Sequence, residues 1–225
     1  MSRNDYHSYI YERDKRKIRG DFESAYANCE DVWPTQHQLD LPHFVYVKGL
    51  VRDRCRALGR TVRVLDLGCG YGDFIHDLNG FSECDALGLE ISHSAVKKGR
   101  QRFGPDLKVV VGDLNRGLPA ADGTFDVVLV MGVFWFLLDR IQFCLAELDR
   151  VAAKDANLVF TLNVPENPIG KEIISSYDDF LDLLRTQFDI VDGFKFYQPS
   201  ALQARKPLAE TMDDILIRCR RKGGG

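Results

Sequence analysis

The sequence predicts an α/β protein: a mostly parallel sheet with helices on both faces. Three observations lead there. From residue 62 onward, short β-rich runs alternate with helical stretches, the pattern of βαβ units. The first run, Val62–Leu67, ends in the glycine-rich turn Gly68-Cys69-Gly70-Tyr71-Gly72. The run Phe125–Met131 (FDVVLVM) is almost wholly apolar, as a strand covered on both faces must be.

Taken in order, the first part of the chain, to about Arg60, is rich in charge and aromatic rings. Lys15–Glu30 reads as a broken amphipathic helix, with Ile18, Phe22 and Tyr26 at i, i+4, i+8 on one face. Trp33-Pro34 is a break, and Leu41–Leu58 a second helix whose apolar side carries Phe44, Val47, Leu50, Val51 and Leu58. After Val62–Leu67 come a helix over Tyr71–Leu78, a strand over Cys84–Glu90 and a helix over Ser92–Phe103. Ser92 is placed to cap that helix through its hydroxyl. Strands follow at Leu107–Val111 and Phe125–Met131, a helix at Leu137–Val151, a strand at Asn157–Leu162 and a helix at Tyr177–Phe188. Asp189–Tyr197 and Asp214–Arg220 are late strands. The division predicted is a helical cap over residues 1–60 and a sheet domain over 61–222, acting as one structural unit.

Bulk composition narrows the function classes. Net charge over 225 residues is −3, without the basic excess of a nucleic-acid binder. The six cysteines include no CxxC pair and no Cys/His cluster at ligand spacing, so no metal site is expected and the thiols read as reduced and cytoplasmic. The N-terminus is polar, without the apolar core of a secretion signal. The longest apolar run, Val127–Leu138, falls short of the about 20 residues that span a bilayer. No membrane association is expected.

A parallel sheet binds ligands at the carboxyl ends of its strands, so the loops after the first four strands are where chemistry is sought. In the first loop the glycines let the backbone approach a ligand closely. The spacing is not that of a dinucleotide site, GxGxxG, because the third glycine is Gly72 and Asp73 stands where the motif needs glycine. Asp66 at the loop's entry would repel a pyrophosphate but tolerate a ligand carrying an amino group and a sulfonium. Glu90 ends the second strand, where a carboxylate can accept from ribose hydroxyls. Gly112-Asp113-Leu114 follows the third, where Asp113 can accept from an adenine amino group and Leu114 present its N–H. Each has a plainer reading: a tight β–α turn, an exposed strand-end Glu, a turn-forming Asp.

Together VLDLGCGYGDF, LGLEIS, VVVGDLN and FDVVLVMGVFWFL, in this order, resemble the four motifs of the class I S-adenosylmethionine (SAM)-dependent methyltransferase family. The resemblance covers about Val62–Leu162, with a family-like ending through Arg220. It implies a Rossmann-like, seven-stranded, mostly parallel sheet with helices on both faces, the last strand antiparallel, and an N-terminal helical lid. It implies that Gly68, Cys69, Gly70 and Gly72 cradle the methionine part of SAM with Asp66 nearby, and that Glu90 holds the ribose. Ile91 would pack on the adenine, Asp113 and Leu114 read its edge, and Met131 line the sulfonium. Tyr6, Tyr9, Tyr11, Tyr26, Trp33, His37, Phe44 and Tyr46 supply the lid with rings, Trp33 being counted among the cofactor's contacts.

After Met131, Phe134 or Trp135 could face the sulfonium through its ring, the alternative being core packing. The run MGVFWF lacks the Asn/Asp-Pro-Pro-aromatic signature of DNA-base amino-methyltransferases. Candidate bases are His37 and Tyr177, with His43 and Asp139 beside them; the catalytic set is His37, Phe134, Trp135 and Tyr177. The expectation is a metal-independent methyltransferase of small-molecule biosynthesis. It would act on an N or O nucleophile of a small-molecule acceptor, with a homodimer left open. Two alternatives stand beside it: a same-fold enzyme that cyclises SAM itself to azetidine-2-carboxylate with release of methylthioadenosine, and a non-catalytic SAM-binding subunit.

Overall fold

A computed structural model describes residues 6–12, 18–30, 32–33, 39–163, 172–197 and 213–222. The elements run α1 His7–Ile10, α2 Phe22–Asn28, α3 Pro42–Leu58, β1 Val62–Leu67, α4 Asp73–Asn79, β2 Cys84–Glu90, α5 His93–Phe103, β3 Val109–Val111, β4 Phe125–Val130, α6 Ile141–Val151, β5 Ala152–Asn163, α7 Tyr177–Arg185, β6 Phe188–Tyr197 and β7 Asp213–Arg221.

The seven strands form one sheet in the order β3-β2-β1-β4-β5-β7-β6. β7 is antiparallel to β5 and to β6, and the other pairings are parallel. This is the expected Rossmann-like sheet. Alternation along each strand divides the core between two faces. On β4, Val128 and Val130 pack with α6 and α7 around Phe134, Leu145, Phe160 and Phe180. Val127 and Leu129 pack the other way, with α3 and α4 around Val47, Val51, Phe74 and Ile75.

Local chemistry accounts for most boundaries. Pro42 opens α3 at its first turn, where no N–H is needed, and Gly59 closes it in the left-handed region at φ 62°. Ser92 caps α5 as expected, its hydroxyl accepting from Ala95 N at 3.1 Å. Ser176 and Asp179 form a reciprocal capping box at the start of α7.

Several boundaries differ from expectation. The helix expected over Lys15–Glu30 is α2, which spans Phe22–Asn28 only, capped by Asp21, and Ile18 pairs with Tyr11 in an isolated antiparallel bridge instead of joining it. Residues 13–17 lie outside the described residues. α4 begins at Asp73, because Gly72 holds φ 82° and cannot extend the helix backward. The stretch after β4 is a 3-10 segment over Phe134–Arg140 before α6 begins. β5 starts five residues early, directly off α6, and α7 ends at Arg185 because Phe188 already belongs to β6.

Candidate active site

β1 delivers Asp66, buried at 5 % exposure, into a loop with three left-handed glycines: Gly68 (φ 69°), Gly70 (φ 59°) and Gly72 (φ 82°). At Gly68 a side chain is excluded twice over, since a Cβ there would lie 2.2 Å from Val133 Cγ1. The loop hangs on β2: Gly68 N and Cys69 N donate to Leu89 O at 2.8 and 3.3 Å, and Gly70 N donates to Glu90 Oε2 at 2.9 Å. Ser92 N donates to the other oxygen, Glu90 Oε1, at 2.9 Å. Glu90 thus joins the glycine loop to the start of α5.

Asp66 and Glu90 are both buried, at 5 and 4 % exposure, and neither has an ion-pair partner among the described residues. Burial, with the Glu90 charge adding to it, pushes the Asp66 carboxyl up to about 7. Burial pushes Glu90 up to about 7 as well, against the backbone N–H groups that favour its charge. Two neighbouring buried carboxyls without a cation suit a ligand that brings positive charge. The glycines let the loop backbone pack tightly: a Cβ at Gly68, Gly70 or Gly72 would lie 2.2, 3.0 or 2.9 Å from Val133, Tyr26 or Val109. S-adenosylmethionine, with its sulfonium and ammonium, fits this cradle.

Asp113 caps the 3-10 turn Leu114–Arg116, its Oδ1 accepting from Asn115 N at 2.9 Å and its Oδ2 lying 3.6 Å from Arg116 Nε. The turn-forming role is therefore real, and lone pairs remain for a ligand. Leu114 is buried and Ile91, beside Glu90, is 45 % exposed.

The N-terminal arm docks on this end of the sheet. Glu23 accepts from Ser92 Oγ (2.8 Å), Ser94 N (3.1 Å) and Ser94 Oγ (2.6 Å), at the start of α5. Lys98, one helix face along, donates to Tyr26 O and, at 2.9 Å, to Cys29 O, closing the carboxyl end of α2. Tyr71 Oη donates to Glu30 O at 3.0 Å. Between these ties Tyr26 is buried against Tyr71, ring centroids 5.1 Å apart, and its hydroxyl lies 3.0 Å from where a Cβ on Gly70 would stand. Trp33 belongs to the same cluster, 5.0 Å from Tyr6 and 6.0 Å from Tyr26.

The expected catalytic residues separate. Phe134 is 1 % exposed and packs on Phe160 and Phe180 at 6.0 and 4.9 Å, so it belongs to the core and its ring is not presented at the strand ends. Trp135 is held by its indole N–H, which donates to Asn163 O at 2.8 Å at the end of β5. Phe136, not among the candidates, is the ring of that run which meets the arm, edge-on to Phe22 at 4.8 Å. Tyr177 opens α7 with its ring 4.9 Å from Lys195 Nζ, against the core on the α6–α7 face. His37 lies outside the described residues. Met131 is partly buried on the opposite, α3–α4 face, and Gly132 N donates to Thr161 Oγ1 at 2.9 Å. Among the described residues no group of three His, Cys, Asp or Glu side chains could hold a metal ion. No described helix is long and apolar enough to cross a membrane.

Sequence reasoning missed the docking contacts of Glu23, Ser94 and Lys98, whose partners lie about 70 positions away. Tyr26 was expected on the apolar face of the Lys15–Glu30 helix and among the rings of the lid, without its contact to the Gly70 turn.

Residues 65–160, from β1 to β5, match the family described as methyltransferase domain. Over these residues, less than half of the chain, the sequence is similar to that family. Its relatives include an O-methyltransferase (cnsE) of Penicillium expansum, 26 % identical over 148 residues that cover 57 % of this chain and 52 % of that one. A malonyl-[acyl-carrier protein] O-methyltransferase of Legionella pneumophila is 30 % identical over 107 residues, 46 % of this chain and 37 % of that one. The chain thus spans about half or less of the length of these curated relatives. Among solved structures, the N-methyltransferase NodS of Bradyrhizobium japonicum, in complex with S-adenosyl-L-homocysteine, superposes with a TM-score of 0.59 at 16 % identity, over 85 % of this chain and 94 % of that chain. At that identity the likeness concerns the fold.

Proposed function

We propose that the chain binds SAM on the Gly68–Gly72 loop and transfers its methyl group to an N or O nucleophile of a small molecule. The observation that carries this is the buried Asp66–Glu90 pair beside a loop whose glycines admit no side chain. SAM supplies a methyl group already activated on sulfur. The chain's part is to bind, align and exclude water, and good alignment alone can contribute about 7–11 kcal/mol.

In this reading Glu90 holds the ribose, Ile91 packs on the adenine, Asp113 and Leu114 face its edge, and Met131 lines the sulfonium. Tyr26 and Trp33 close the site from the arm, so residues 1–60 act as a lid over the 61–222 domain. An oxygen acceptor is supported by the two relatives named as O-methyltransferases. A cytoplasmic, metal-independent enzyme is part of the same proposal, and its turnover should survive exhaustive EDTA treatment.

The deciding experiment is calorimetric titration with SAM and S-adenosylhomocysteine, followed by mass spectrometry of the nucleoside products. Protein with SAM alone should turn over no faster than a boiled control, and S-adenosylhomocysteine should appear only with an acceptor supplied. Multiple turnovers to methylthioadenosine from SAM alone would replace methyl transfer by cyclisation of the aminobutyl chain. Binding without either product would leave a non-catalytic SAM-binding subunit.

A further inference from the structure

His43 stands in the first turn of α3, 4 % exposed, and its Nδ1 is buried with no hydrogen-bond partner among the described residues. Buried polar atoms are nearly always paired, so an orphaned imidazole nitrogen asks for a ligand or a role. Its surroundings are rings: Phe196 stacks on it at 4.5 Å and 28°, Phe44 lies at 4.1 Å, and Phe44 packs in turn on Phe74 at 4.7 Å. Phe194, 6.0 Å from Phe196, and Tyr46, 5.4 Å from Phe194, extend the aromatic wall.

The sheet register places this imidazole. α3 ends at Leu58, just before β1 begins at Val62, and packs back along the sheet, so its first turn lies at the carboxyl end of the parallel strands. Val62 and Val64 on β1, Val127 and Leu129 on β4, Val159 on β5 and Leu216 on β7 all point to the α3–α4 face. Counting by two, Asp66 follows on β1, Met131 beyond β4 and Thr161 on β5. Phe196 is on the same face near the end of β6. His43 therefore shares one face and one end of the sheet with Asp66 and Met131. The sequence candidates Phe134 and Tyr177 pack on the other face.

We propose that His43 is a catalytic residue, its Nδ1 taking the proton from the hydroxyl of a planar aromatic acceptor held between the Phe196 wall and Met131. This rests on the SAM-binding reading of the cradle. The acceptor oxygen forms a bond to the methyl carbon as the carbon–sulfur bond breaks. The sulfur keeps that electron pair as a neutral thioether, and the hydroxyl proton passes to Nδ1 and then to water. The stacked rings suit a flat partner. Burial holds the imidazole's pKa down, at about 4, so the ring is neutral and able to accept at neutral pH. A weak base suffices because the oxygen becomes strongly acidic only as the methyl arrives.

The test uses the full chain with SAM and two probes, 2-naphthol and 7-hydroxycoumarin, with benzylamine for comparison. Three measurements are made: SAM affinity by calorimetry, methyl ether formation by mass spectrometry, and the ¹⁵N shift of the His43 imidazole in wild type loaded with S-adenosylhomocysteine. The expected result is that a phenol moves the His43 nitrogen signal and is methylated. H43F, which keeps the ring stack, and H43Q should lose about 10²-fold in kcat with SAM affinity unchanged. Undiminished kcat in either folded variant overturns the assignment. So does a His43 signal that neither phenol moves, a readout that needs no variant to fold. Loss of SAM binding by the wild type would instead sink the cofactor reading, and calorimetry separates the two failures.

Discussion

Glu90 and Gly70 are joined by a hydrogen bond from the Gly70 backbone N–H to Glu90 Oε2, 2.9 Å long, which ties the glycine loop to the end of the second strand. The same carboxylate accepts from Ser92 N at 2.9 Å, so one buried side chain sets both the loop and the start of the next helix. The chain's own hydrogen bonds therefore hold the loop in place, and substitutions in it should act on binding as well as on order.

Replacing Glu90 with Ala should weaken SAM binding at least ~10-fold, since hydrogen bonds to a charged group contribute about 1.5–3 kcal/mol. Glu90→Gln keeps the shape and removes the charge, and should fall between the two. Unchanged affinity in a folded Glu90→Ala protein would exclude a direct role.

Asp66 and Glu90, each at about 7, predict a pH dependence whose sign can be worked out. Unfolded carboxyls titrate near pH 4, so between about 4 and about 7 the native state holds protons the unfolded chain has released. Stability should decline as pH rises through that window and level off above it. SAM binding runs the other way: a cation favours the ionised pair, so affinity should fall as pH drops below about 7, with protons released on binding. Calorimetry in two buffers of different ionisation heat, at a pH slightly below 7, measures that release; none would contradict the coupling.

Gly68→Ala places a Cβ 2.2 Å from Val133 Cγ1 and forces a side chain to φ 69°. Strain and overpacking together should cost about 2–4 kcal/mol, and SAM binding should be lost with them. Val133→Ala in the same background relieves the contact but not the dihedral, so partial recovery of the melting temperature is expected. Full recovery would mean that the backbone conformation costs little.

Deleting residues 1–30 removes α2, with Glu23 and Tyr26, while leaving all seven strands intact. Turnover should be abolished and the far-ultraviolet circular dichroism of the sheet domain kept. A truncated protein with full activity would reduce the arm to packing. Glu23→Ala is the milder version. Its contacts to Ser92 and Ser94 are partly solvent-exposed, so an effect of about 1 kcal/mol or less is expected, read as faster hydrogen exchange across α2.

Much of this protein was legible in the sequence because its information is local. A short β-rich run followed by a glycine-rich turn marks β1 and its loop. Continuous burial in FDVVLVM marks a central strand, and Asp66, Glu90 and Asp113 lie at strand ends whatever surrounds them. Ser92 could be identified as a cap because the hydroxyl and the N–H it accepts from are three residues apart. What the sequence left open was decided by contacts between distant positions. The side-chain period predicts burial but not which face, so Phe134 and Trp135 looked alike until the 3-10 segment turned one ring into the core and tied the other to Asn163. Phe136, passed over, meets Phe22 because the arm crosses the strand ends there. Glu23 and Lys98 find their partners only after α2 docks on α5, and His43 is set on the face of Asp66 and Met131 by the path of α3 across the sheet. The backbone's own preferences determined the elements. Packing of elements far apart in the chain decided which side chains meet, since no local pattern encodes which distant surface will cover an apolar face.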